Sequence, residues 1–185
     1  MYHLYSSKTG GFSLMINRFD DELLDLVDEN DQVLIQQYRS IVYAQGLRYI
    51  RSVGGFIKNS KGQLWIPRRV KEKKLHPHAL DLSVSGHVSA GENYEQAFER
   101  ELYEELGLLT NNINYRKLGL YKPSDGDFRY FVAVYEILDD NEPDYNKNDF
   151  CESYWLYPEE IIQKISAGDK AKDGLPLIVK HYYLR

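Results

Sequence analysis

Three glutamates, Glu101, Glu104 and Glu105, stand three and four residues apart in a stretch whose apolar residues recur at helical spacing, so their carboxylates project from one side of a helix. Like charges crowded in this way cost stability. Either the face is solvated and tolerates the repulsion, or a cation sits there, and hard oxygen ligands select Mg²⁺ or Mn²⁺. A second charge feature lies upstream, where Arg68, Arg69, Lys71, Lys73 and Lys74 fall in seven residues interrupted only by Val70 and Glu72. Such a run is either a solvated loop or an anion-binding surface.

The elements that must hold the glutamates are legible around them. Asn93 followed by Gln96 is a capping-box arrangement, Tyr94, Phe98, Leu102 and Leu106 keep helical spacing, and Gly107 supplies the stop. A short strand over 82–85 leads into a glycine turn ahead of that helix. Residues 23–27 and 33–36 predict one hairpin, 48–58 and 63–68 a second, and 113–122 and 128–138 a third. Segments 70–79 and 139–150 read as loops, 153–157 as a last strand, 159–167 as a helix opened by Pro158, and 175–184 as a terminal helix. Residues 1–21 read as a peripheral arm and 22–185 as one domain.

Bulk properties narrow the function classes. Of 185 residues 43% are hydrophobic, and sixteen are tyrosines, which is the composition of a chain that folds. A net charge of -5 argues against long nucleic acid as a partner, because polymer binding needs many cationic phosphate contacts. Cys151 is the single cysteine and can form no internal disulfide, so a reducing cytoplasm is the expected compartment. No apolar run approaches the ~20 residues of a membrane span. An aromatic-rich surface suits a homodimer.

The full pattern around the glutamates is Gly86, five residues, Glu92, seven residues, Arg100-Glu101-Leu102, Tyr103, Glu104-Glu105, Leu106, Gly107-Leu108. It resembles the Nudix box at every position. Seven fixed and two aliphatic positions would match by chance on the order of once in a billion starts. The resemblance implies an α+β Nudix fold, an α/β/α sandwich around a mixed sheet, in a hydrolase that cleaves a diphosphate linkage in a small molecule. It further implies Glu101, Glu104 and Glu105 as metal ligands together with the carbonyl of Ser85, with Mg²⁺ or Mn²⁺ as the ion. Glu92 and Arg100 become a structural ion pair facing away from the metal, and Gly86 and Gly91 provide tight turns. Glu101 is the expected general base, with Glu152 as the alternative because it lies three residues before Trp155.

Lys61-Gly62-Gln63-Leu64, Arg68-Arg69, Lys73-Lys74 and Ser83-Val84-Ser85-Gly86-His87 also resemble isopentenyl-diphosphate isomerase, a Nudix relative. That likeness covers 59–108 and implies diphosphate binding by Arg69 and Lys73, with Arg68 and His87 nearby. It departs where the isomerase needs a cysteine, since Ser85 stands there and a hydroxyl is far less acidic than a thiol. A complete Nudix box on an isomerase-like frame therefore points to a hydrolase. The alternatives are a module that binds such a ligand in the same pocket without cleaving it and, behind it, the isomerase itself. Loops 36–50 and 139–150, with Tyr38, Tyr43, Tyr121 and Tyr145, are the expected specificity elements.

Overall fold

The computed structural model describes residues 21–126 and 128–184. The arm expected over 1–21 lies, but for Asp21, outside the described residues.

Helix α2 (Tyr94–Leu106) has its ends fixed by local sequence. Asn93 Oδ1 accepts from the Gln96 N–H at 2.9 Å while Gln96 Oε1 accepts from the Asn93 N–H at 2.9 Å, the reciprocal cap its residues predict. Gly107 closes the helix with φ of 64°, a left-handed conformation that suits glycine. Phe98, Leu102 and Leu106 are buried, and the Phe98 ring stacks on Tyr135 at 4.0 Å. At about 100° per residue, Glu105 stands about 60° from the centre of that buried stripe, Glu101 about 100° and Glu104 about 160°. The apolar stripe thus grades the three carboxylates from sheathed to exposed.

The sheet receiving this helix has eight strands: β1 (Leu23–Val27), β2 (Val33–Tyr38), β3 (Ile50–Lys58), β4 (Leu64–Arg69), β5 (Val84–His87), β6 (Tyr115–Tyr121), β7 (Tyr130–Leu138) and β8 (Phe150–Leu156). Strand β3 is its hub. It runs parallel to β7 from Ile50↔Tyr130 to Lys58↔Leu138 and antiparallel to β5 from Ser52↔His87 to Gly55↔Val84, so the sheet is mixed. One face packs Val53, Ile57 and Ala133 against α2. The other packs Phe56, Val132 and Val134 against Ile161 of α3 (Pro158–Ser166) and Leu175, Ile178 and Val179 of α4 (Gly174–Tyr183). These are the three layers of the α/β/α sandwich.

The expected hairpin of 48–58 with 63–68 forms only at its turn end. The two strands meet only at Lys58↔Leu64, and β4 instead pairs along its length with β8, from Leu64↔Leu156 to Arg69↔Phe150. A short helix α1 (Arg39–Ala44) also occupies part of the expected 36–50 loop. Its N-cap Tyr38 makes no side-chain cap bond, so it carries none of the start signals that reveal α2.

Candidate metal and phosphate site

Strand β5 and helix α2 meet at Gly86. A methyl group at Gly86 would fall on the Glu101 carboxylate, so this glycine is required for the space it leaves. Gly86 sits inside β5 rather than in the expected tight turn, whereas Gly91 does take the turn conformation, with φ of 81°. Glu105 accepts the Ser85 N–H at 2.9 Å through Oε2.

Burial sets the electrostatics of this corner. Glu101 has 12% of its side chain exposed and Glu104 58%. Burial pushes the Glu101 carboxyl up to about 7 against the pull of Arg100, with Glu104 and Glu22 adding to the rise. Burial raises Glu105 well above the carboxylate range too, helped by Asp81 and Glu101. Two acids forced toward their neutral forms by burial and mutual repulsion are a site that a divalent cation relieves.

Arg100 is the hinge pin of the motif. It meets Glu92 through two bonds, Nε to Oε1 and Nη2 to Oε2, each 2.9 Å, and donates to the His87 carbonyl at 2.9 Å. That bidentate hold ties the loop before α2 to the helix and keeps Glu92 below its usual range. Arg100 does not face away from the acids as the sequence suggests. Its Nη1 lies 2.7 Å from Glu101 and 3.6 Å from Glu104. Among the described residues no three His, Cys, Asp or Glu side chains are gathered in a metal-holding group, because Glu101 and Glu104 turn to Arg100 and Glu105 to Ser85. The donors nevertheless fit a hard cation: three carboxylates on adjacent turns, two of them raised by burial.

The basic loop behaves differently from its sequence. Arg68 is buried and forms a bidentate pair with Asp169 at 2.8 and 2.9 Å, and its Nε lies 2.5 Å from Glu152. Arg69 pairs with the fully buried Asp81 at 2.7 Å, and Lys73 with Asp149. The structure therefore ties Glu152 to Arg68, across the β4–β8 ladder, and joins Arg69 to the glutamate corner only through Asp81. His87 is held by Glu22 at Nδ1, 3.1 Å, and by the Tyr43 hydroxyl at Nε2, 3.0 Å.

The family model described as NUDIX domain matches residues 48–177, which is most of the chain and includes every glutamate of the cluster. The chain belongs to the Nudix family. It is 49% identical over 164 residues to an uncharacterized Nudix hydrolase of Nostoc sp., spanning 89% of this chain and 97% of that one. It is 43% identical to a Nudix hydrolase of Deinococcus radiodurans, over 88% and 95% of the two chains. A crystal structure from Deinococcus radiodurans matches with a TM-score of 0.82 at 43% identity, covering 88% of this chain and 99% of that one. The protein is thus a Nudix hydrolase, acting on anhydrides in phosphorus-containing compounds, in a family that generally works with divalent metals on small molecules. Among its described residues no helix is long and apolar enough to cross a membrane.

Beyond the Nudix box the fold supplies residues that spacing did not reveal. Asp81 hydrogen-bonds Ser85 Oγ at 3.3 Å, and Lys172 donates to the same oxygen at 2.7 Å. Asp81 left a faint signal as a lone acid between Leu80 and Leu82. Lys172 left none, because it comes from 87 residues away.

The Glu101 carboxyl is raised in the fold, so its protonation contributes stability that is present below the unfolded value near 4.5 and is lost as pH rises toward about 7. Metal-free protein therefore carries a growing penalty over that window, and a bound cation removes it. The gain in melting temperature on adding Mg²⁺ is expected to grow from pH 5.5 to pH 8. Scanning calorimetry showing an equal gain at both would refute this electrostatic account of the site.

Proposed function

We propose that this Nudix protein is a Mg²⁺- or Mn²⁺-dependent hydrolase that cleaves the diphosphate linkage of a nucleoside diphosphate derivative or a similar small diphosphate. The observation that carries this reading is the pair of burial-raised carboxylates, Glu101 and Glu105, packed against Gly86 and Ser85. Glu101, Glu104, Glu105 and the Ser85 carbonyl would hold the ion, which when bound neutralises phosphate charge and eases deprotonation of water. Glu101 is assigned the water proton, because its carboxyl lies in the glutamate corner and is raised to about 7, whereas Glu152 sits on β8 against Arg68. Arg100 orients Glu101, and its grip on Glu92 keeps the loop on the helix. Arg68, Arg69 and Lys73, with their charges taken up by internal carboxylates, are assigned to holding β4 and the loop after it in place rather than to gripping phosphate.

A run of rings around His87, the residue after Gly86, supports the nucleoside part. Tyr43 and His87 meet edge-on with centroids 6.0 Å apart, His87 and Tyr130 at 6.4 Å, and Tyr130 and Phe128 at 4.7 Å. Such a strip offers a base both stacking faces and polar edges. The isomerase-like frame supports prenyl diphosphates less, since Ser85 Oγ is engaged by Asp81 and Lys172 and no thiol takes its place.

The test is a panel of nucleoside diphosphate derivatives and prenyl diphosphates with Mg²⁺ or Mn²⁺, products identified by mass, wild type against Glu104→Gln. Metal-dependent cleavage lost in the variant is the expected result. Tight ligand binding by calorimetry with no turnover of any substrate would replace this reading with a sensing module.

A further inference from the structure

Arg68, Arg69 and Lys73 are engaged by Asp169, Asp81 and Asp149, whereas another segment brings a cation directly to Ser85. Lys172 lies between α3 and α4, and its backbone is strapped in place: Leu80 donates to the Lys170 carbonyl at 2.8 Å, and Lys172 donates to the Leu80 carbonyl at 2.9 Å. Its ammonium then stands 2.7 Å from Ser85 Oγ and 3.4 Å from Asp81 Oδ1. It is also close enough to Glu105 to oppose the rise of that carboxyl.

The charge count makes this lysine distinctive. Asp81 is fully buried and already holds Arg69 at 2.7 Å, so its single charge is shared between two cations. An ammonium has three donors; one goes to Ser85 Oγ, and Asp81 pairs with the charge at 3.4 Å. The side chain keeps 30% exposure, so its remaining N–H can reach a ligand at the corner where Ser85 and Glu105 meet.

We infer that Lys172 binds the diphosphate of the substrate directly, held at Ser85 by the buried Asp81. The inference rests on the hydrolase reading for the identity of the anion, but its test has a separate readout. Lys172→Ala should raise KM by about tenfold or more, equal to about 1.4 kcal/mol or more of binding, with kcat changed less than about threefold. Lys172→Arg should restore KM to within about threefold, because a guanidinium also donates to phosphate. Lys172→Met keeps the apolar stem and serves if the alanine variant does not fold. Lys170→Ala, two residues away and exposed, should behave as wild type.

Calorimetry with inorganic pyrophosphate and Mg²⁺ should show the same loss of about tenfold in affinity without turnover. KM and pyrophosphate affinity within about twofold of wild type in both Lys172→Ala and Lys172→Met would overturn the assignment. If the wild type binds pyrophosphate yet cleaves no substrate, the hydrolase reading fails, and Lys172 is judged on pyrophosphate binding. If it cleaves a substrate but binds no pyrophosphate, the hydrolase reading stands and Lys172 is judged on KM alone.

Discussion

Glutamine in place of Glu105 will raise the melting temperature of the metal-free protein at pH 8 by at least about 2 °C, the worth of about 1 kcal/mol in a domain of this size, while cutting kcat by about a thousandfold. The two effects share one cause. Burial pushes the Glu105 carboxyl far above its ordinary range, and Asp81 and Glu101 push the same way, so the free carboxylate is a cost that the fold bears for function. Glutamine keeps an oxygen to accept the Ser85 N–H and removes the charge. It also removes a ligand, and the several kcal/mol of charge stabilisation that a divalent ion supplies to phosphate chemistry converts to about a thousandfold in rate.

The sign can be checked independently. Because the folded carboxyl is raised, its penalty vanishes as pH falls toward the unfolded value near 4.5. The advantage of Glu105→Gln should therefore shrink at pH 5, and Mg²⁺ should stabilise wild type more than the variant. A variant less stable than wild type at pH 8 without metal would show that Glu105 serves the fold, and the metal reading would lose its electrostatic basis.

What could be read in the sequence was what local chemistry dictates. The cap at Asn93, the stop at Gly107 and the buried stripe of Phe98, Leu102 and Leu106 depend on neighbours within one or two turns, and these alone fix which way the three glutamates point. The pairing of β4 with β8 could not be read in this way. Leu64 and Leu156 lie far apart along the chain, and a short turn at Asn59 to Gly62 promised a hairpin that the sheet uses for a single registered pair. The run from Arg68 to Lys74 misleads for a related reason. Arg68, Arg69 and Lys73 look available because Asp169, Asp81 and Asp149, which neutralise them, are distant or unremarkable in sequence. Net charge in a window says nothing of the partners that folding brings, and the same blindness hid Lys172.

Alanine at Gly86 tests whether the corner between β5 and α2 is a shaped seat for Glu101. The backbone at Gly86 lies in a strand and is not among the positive-φ glycines, so alanine can adopt it without strain. What alanine cannot share is the space occupied by the Glu101 carboxylate. That obstacle is the far end of a flexible side chain, so the chain folds with Glu101 swung aside, and the melting temperature should move by no more than about 3 °C, under about 1 kcal/mol at this size. Activity should fall by about a hundredfold, the scale of an ångström-level misplacement of a reacting group. The decisive measurement is the double variant. If Gly86→Ala acts through Glu101, adding Glu101→Gln to it costs little more than Glu101→Gln alone. Losses that multiply would mean that Gly86 and Glu101 contribute separately, and that the glycine serves the backbone rather than the seat.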